Sequence, residues 1–124
     1  MLNGYLKIWL TFCIISLLSF NAFARDSATV GTISAADLSR EARQTLDLIQ
    51  QGGPFPYAKD GSVFGNYERL LPTRKRGYYR EFTVKTPRAH NRGARRIVVG
   101  GDVTTSQEYY YTDNHYATFK RITK

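Results

Sequence analysis

Between residues 39 and 51 the apolar side chains recur with a helical period, and from Tyr78 onward the period becomes two. That change limits the architecture to one helix followed by a sheet. Ala42, Thr45, Leu46 and Ile49 fall at i, i+3, i+4 and i+7, which is one face of a helix. Ser39 can cap its start, and Gly52-Gly53 accept the positive φ that ends it. Four later runs, 78–86, 95–100, 107–112 and 116–122, are rich in Tyr, Phe, Val, Ile and Thr. Pro87, Gly93, Gly100-Gly101 and Asp113-Asn114 break them apart. Connections this short join antiparallel neighbours, because a parallel crossover needs about a dozen residues or more. The expectation is an α+β fold: one N-terminal helix packed on one face of a small twisted antiparallel β-sheet. Between helix and sheet, Pro54, Pro56, Asp60-Gly61 and Gly65-Asn66 supply a turn-rich segment.

Residues 1–24 differ from the rest. Lys7 precedes an apolar stretch from Ile8 to Phe20 that ends at Ala22-Phe23-Ala24, the small-x-small pattern of a cleaved signal peptide. The stretch falls short of the roughly 20 residues that span a bilayer, although an uncleaved anchor is the alternative. Cleavage would leave a single domain, 25–124, secreted to the periplasm or the exterior with no membrane contact. The full chain of 124 residues has a formal charge of +8, and losing Lys7 leaves 17 basic against 10 acidic side chains. The single cysteine, Cys13, lies in the signal. The exported domain must therefore hold together by its core alone, with neither a disulfide nor a Cys-based zinc site. Excess positive charge favours a polyanionic partner.

Alternation along the first long strand places Tyr79, Glu81 and Thr83 on one face and Tyr78, Phe82 and Val84 on the other. The second set should take the helix, which leaves Glu81 on the open face. Arg92, Arg95 and Arg96 enter the next strand, so a hairpin brings some of them to that face. His115 stands at the turn before the last strand, beside Tyr116. Each has a plain alternative: a solvated strand Glu, a solvated arginine turn, an incidental loop His. Together they form an acid–base pair around an anion site. RNA cleavage needs this set with no metal and no cofactor, because the 2′-hydroxyl is the nucleophile, the leaving 5′-oxygen needs an acid, and fixed cations stabilise the phosphorane.

Gly53-Pro54-Phe55-Pro56-Tyr57, Phe64-x-Asn66-x-Glu68, Leu71-Pro72, Gly77-Tyr78-Tyr79-Arg80-Glu81-Phe82-Thr83-Val84, Arg92-Gly93-x-Arg95-Arg96-Ile97 and Asp113-Asn114-His115-Tyr116-Ala117-Thr118-Phe119 follow one another in order. In this arrangement the chain resembles the secreted microbial guanyl-specific ribonucleases, nearest their ribonuclease Sa branch, with barnase a more distant relative. The resemblance covers residues 31–122. It implies Glu81 as general base, His115 as general acid, Arg92 and Arg96 on the scissile phosphate, and Tyr116 hydrogen-bonded to it. It also implies a guanine-binding loop of Phe64, Gly65, Asn66, Tyr67 and Glu68, whose backbone N–H groups meet guanine O6 while the Glu68 carboxylate accepts from N1–H and the 2-amino group. The implied activity is cleavage of single-stranded RNA 3′ to guanosine through a 2′,3′-cyclic phosphate.

Several positions depart from that pattern. Tyr67 stands where many relatives have Arg, with Arg69 close by, and Gly65 where a polar residue is common. Ser34 occupies the place of the first cysteine of a family disulfide, and the segment 100–112 is a few residues longer. Lys59 is a candidate further cation at the phosphate, or a solvated turn lysine. A monomer is expected, and the resemblance implies an intracellular barstar-type inhibitor as partner. Two other readings remain: a non-catalytic cationic protein that binds nucleic acid through Arg and Tyr, and a membrane-active cationic protein. The second is weakened by the lack of a basic helix with a strongly apolar face. Pure binding gives no reason for Glu81 among arginines.

Overall fold

The computed structural model describes residues 30–124. The proposed signal peptide, 1–24, lies outside the described residues. Strand β1 (Gly31–Ser34) leads through a single 3-10 turn (Ala35–Asp37) into helix α1 (Arg40–Gln51). Then come β2 (Ser62–Phe64), β3 (Tyr79–Thr83), β4 (Arg96–Gly100), β5 (Glu108–Thr112) and β6 (Lys120–Thr123). One six-stranded sheet runs in the order β1-β6-β5-β4-β3-β2.

The helix forms where its period placed it. The Ser39 hydroxyl accepts from the Ala42 N–H at 3.2 Å and Gly52, at φ +85°, closes the last turn. Its inward stripe is Ala42, Thr45, Leu46 and Ile49. These pack on Phe82, Val84, Ile97, Val99 and Ile122 from the sheet, and the core they form is mainly aliphatic, with Phe82 and Tyr109 as its buried rings. Burying a side chain of that kind stabilises the fold by about 1.5–3 kcal/mol.

Strands β1 and β2 form outside the four expected runs, β2 within the turn-rich segment, and three further features depart from the expectation. The sheet is mixed: β2 to β6 pair antiparallel, but β1 pairs parallel with β6, Ile33 opposite Ile122. The short-connection argument could not reach that pair, because nearly the whole chain lies between its two strands. The last strand begins at Lys120 rather than residue 116, since His115 and Tyr116 have φ of +53° and +72°, outside the strand region. Tyr78 does not join Phe82 and Val84 on the helix side. It precedes the strand, follows the turn at Gly77, and packs with Tyr79 on the opposite face.

That opposite face is covered as well. Leu71, Tyr79, Val98, Tyr110 and Phe119 make a second, largely aromatic cluster, roofed by the chain after β2 and the chain before β6. Among the described residues no helix is long and apolar enough to cross a membrane.

Candidate active site

Glu81 is the central residue of β3, paired with Val98 of β4 and Ser62 of β2, and its side chain leaves on the face away from the helix. One carboxylate oxygen accepts from Arg92 Nη2 at 3.3 Å, and the other accepts a short hydrogen bond from the Tyr116 hydroxyl. The Glu81 side chain is only 14% exposed, so this pair is sheltered from solvent screening. Arg92 reaches it from the β3–β4 connection and is aimed by Thr83, whose hydroxyl accepts from Nη2 at 2.8 Å and Nε at 3.1 Å. Thr83 is fixed in turn: its N–H donates to Asp60 Oδ1 at 2.7 Å and its carbonyl accepts from the Thr45 hydroxyl.

Arg96 opens β4 and is 3% exposed. Its Nη1 donates to the carbonyls of Arg95 at 2.8 Å and Gly93 at 3.0 Å, while its Nε is buried without a partner. No carboxylate among the described residues pairs with it. A buried guanidinium whose partners are carbonyls has the charge and donors that suit an anionic ligand.

His115 and Tyr116 are held in left-handed backbone by their neighbours. The His115 N–H donates to the Ala94 carbonyl at 2.9 Å, and the buried Thr112 hydroxyl accepts from the Tyr116 N–H at 3.1 Å. Asn114 bridges Thr112 and Thr118 through its side chain. The His115 ring is exposed and lies 4.9 Å from the Tyr116 ring. Burial pushes the Tyr116 phenol well above its ordinary pKa, reinforced by its bond to Glu81 and opposed by Arg96. It stays protonated and remains a donor.

Phe64, at the end of β2, stacks on Tyr116 with ring centres 5.0 Å apart and planes 28° from parallel. Beyond it the loop is closed by Asn66 at φ +52°. Its Oδ1 accepts from the Leu71 N–H at 3.1 Å and its Nδ2 donates to the Leu71 carbonyl at 2.9 Å. That clasp uses the Asn66 side chain for the loop itself, leaving only its backbone for a ligand. Phe64, Tyr67, Glu68 and Leu70, together with His115 and Tyr116, line a cleft of about 270 Å³.

The structure thus gathers Glu81, Arg92, Arg96 and Tyr116, and sets His115 beside them at the mouth of a cleft bounded by the 64–68 loop. Gly65 lets the Tyr67 ring lie against its backbone, where a Cβ would come within 2.5 Å. Lys59 is exposed at the turn before β2 and does not line the cleft. Arg69 is exposed on the loop, at φ +56°. The sequence reading missed Thr83, Asp60 and Thr112, which position the other groups through long-range contacts that no local spacing reveals. Among the described residues no cluster of His, Cys, Asp and Glu is arranged to hold a metal ion.

A ribonuclease family model matches residues 22–123. Guanyl-specific ribonuclease Sa of Kitasatospora aureofaciens is 53% identical over 92 residues, 74% of this chain and 93% of that protein. Guanyl-specific ribonuclease Sa3 of the same organism is 53% identical over 93 residues, and the match spans 75% of this chain but only 64% of that longer protein. Guanyl-specific ribonuclease St of Saccharopolyspora erythraea is 48% identical over 95 residues, 77% of this chain and 90% of that protein. Among solved structures, ribonuclease Sa2 with guanosine-2′-cyclophosphate superposes with a TM-score of 0.69 at 45% identity, covering 76% of this chain and 96% of that one. With its α+β architecture and a family match over most of its length, the chain belongs to the microbial ribonuclease family.

Proposed function

We propose that this protein is a guanyl-specific endoribonuclease that cuts single-stranded RNA 3′ to guanosine. The observation that carries the reading is the Glu81 carboxylate held between Arg92 and Tyr116, beside the buried, anion-seeking Arg96. A protein that merely binds nucleic acid has no use for a sheltered carboxylate in a phosphate site. The relatives named guanyl-specific and the Sa2 complex with a guanosine cyclic phosphate support the same base preference.

The reaction follows from this chain's own side chains. Guanosine enters the cleft, with its base against Phe64 and its N1–H and 2-amino group donating to Glu68. Adenine lacks the N1–H and offers no acceptor at position 6, so it would leave those groups unpaired. Glu81 takes the proton of the 2′-hydroxyl, which attacks phosphorus. Arg92 and Arg96 neutralise the charge that develops on the phosphoryl oxygens. Tyr116 turns its O–H from Glu81 to a phosphoryl oxygen. His115 protonates the departing 5′-oxygen, leaving a 2′,3′-cyclic phosphate. Water then opens the ring, with Glu81 and His115 exchanging roles.

Export through the 1–24 signal and a barstar-type inhibitor inside the producing cell complete the proposal, since an active ribonuclease endangers its maker before it leaves. Cleavage of GpU, ApU and 2′-deoxyguanosine-containing GpU by the 25–124 protein in EDTA tests the core of it. Cleavage of GpU alone is expected. Failure to cut GpU overturns the enzyme reading, and equal rates on ApU overturn the guanine assignment.

A further inference from the structure

Tyr67 is 82% exposed and is the most conspicuous apolar side chain on the described surface. It is not loose. Its ring lies along the Gly65 backbone, at a place that any side chain on residue 65 would block. Its hydroxyl accepts from Arg76 Nη1 at 2.7 Å, and the same guanidinium carbon sits 5.9 Å from the ring centre. The ring is therefore held against the loop while most of it stays open to solvent, at the rim of the cleft that holds Glu68 and His115. Arg69, Arg74 and Lys75 are exposed close by in the chain, and none of them pairs with a carboxylate among the described residues.

We propose that the open face of Tyr67, clamped by Arg76, is a second base subsite for RNA flanking the cleaved guanosine. A flat aromatic ring with a guanidinium against it carries no set of donors and acceptors that could read a base edge. It suits any unpaired base, stacked on the ring with its phosphates near the guanidinium groups. A strand whose guanosine is seated in the cleft must leave over its rim, which brings a neighbouring nucleotide to Tyr67. The subsite thus extends the substrate from one nucleotide to a longer single strand, and the inference rests on the ribonuclease reading.

The test is the ratio of kcat/KM on an eight-nucleotide RNA, with one internal guanosine among uridines, to kcat/KM on GpU. The ratio is insensitive to the fraction of each preparation that is folded. Arg76→Ser should leave GpU cleavage unchanged and lower the octamer rate by about tenfold. Tyr67→Ala should lower the ratio by a similar factor, whatever it does to GpU. The salt dependence of octamer cleavage should become shallower by about one power of concentration in Arg76→Ser. An unchanged ratio in both variants overturns the subsite, and an equal loss on both substrates makes Tyr67 a wall of the guanine pocket instead. Binding of an eight-uridine RNA, followed by fluorescence, reads the same contact without catalysis. Tighter binding by the native protein than by Tyr67→Ala is expected even if GpU proves not to be a substrate, whereas equal binding counts against the subsite.

Discussion

The two faces of the sheet are built from different materials. Against the helix lie Phe82, Val84, Ile97 and Val99, each at most 1% exposed, and apart from the Thr45–Thr83 hydrogen bond the contact is mainly one of shape and apolar area. On the far face the buried rings are mainly tyrosines, each with a polar atom to place. Tyr78 and Tyr110 share the two oxygens of Glu108 at 2.6 and 2.7 Å, Tyr79 donates to the Pro72 carbonyl, and Tyr116 donates to Glu81. The helix covers most of the first face, with Leu38, Phe55 and Val103 at its margins, whereas irregular chain covers the second and leaves a cleft in it. Packing area serves stability where the helix sits. Directional bonds serve position where the chemistry sits.

That division predicts that stability and activity separate by face. The largest effect belongs to Glu81→Ala, expected to lower turnover of GpU by about 10³–10⁴-fold with little change in the urea midpoint. Unfolding on the scale of a core mutant would break the division. Phe82→Ala, one residue away on the helix side, should cost about 3–4 kcal/mol in urea unfolding, and a loss below about 1 kcal/mol would show that the helix-side core is not where stability lies. Tyr79 sharpens the comparison through pH. Burial and the nearby Glu108 charge push its phenol up to about 12 from an ordinary 10.0. The unfolded chain then releases the proton first, so this contribution is intact below pH 10 and is lost as pH rises from about 10 towards 12, by at most about 3 kcal/mol. Tyr79→Phe should flatten that alkaline decline, and an unchanged slope would place the titration elsewhere. The smallest effect is expected of Thr112→Val, which frees the Tyr116 N–H and the Asn114 bridge. It should cost about 1–2 kcal/mol and reduce turnover more than its stability loss explains. Loss of stability alone would make Thr112 a core residue and not a latch.

The helix-side face was legible because burial there follows local period. Ala42, Thr45, Leu46 and Ile49 declare their face by spacing, and Phe82 and Val84 by alternation. Strand β1 was not legible, since four residues with a single large apolar side chain carry no period and its partner lies at the far end of the chain. Glu81, the arginines and His115 could be picked out by charge and by resemblance to a known family. What aims them could not be read, because Thr83, Asp60 and Thr112 look like ordinary strand and turn residues until the fold sets them beside their partners. Tyr67 shows the limit from the other side. In the sequence it reads only as a replacement for arginine in the family pattern, and its pairing with Gly65 and Arg76 exists only in three dimensions.

In the proposed mechanism Glu81 and His115 work as base and acid across one phosphate. The pH dependence of kcat/KM on GpU, measured for the native protein, Glu81→Ala and His115→Ala, tests it most directly. A bell-shaped profile is expected for the native protein, with the acid limb missing from the residual activity of Glu81→Ala and the alkaline limb missing from that of His115→Ala. A bell that survives in either variant would contradict the assignment.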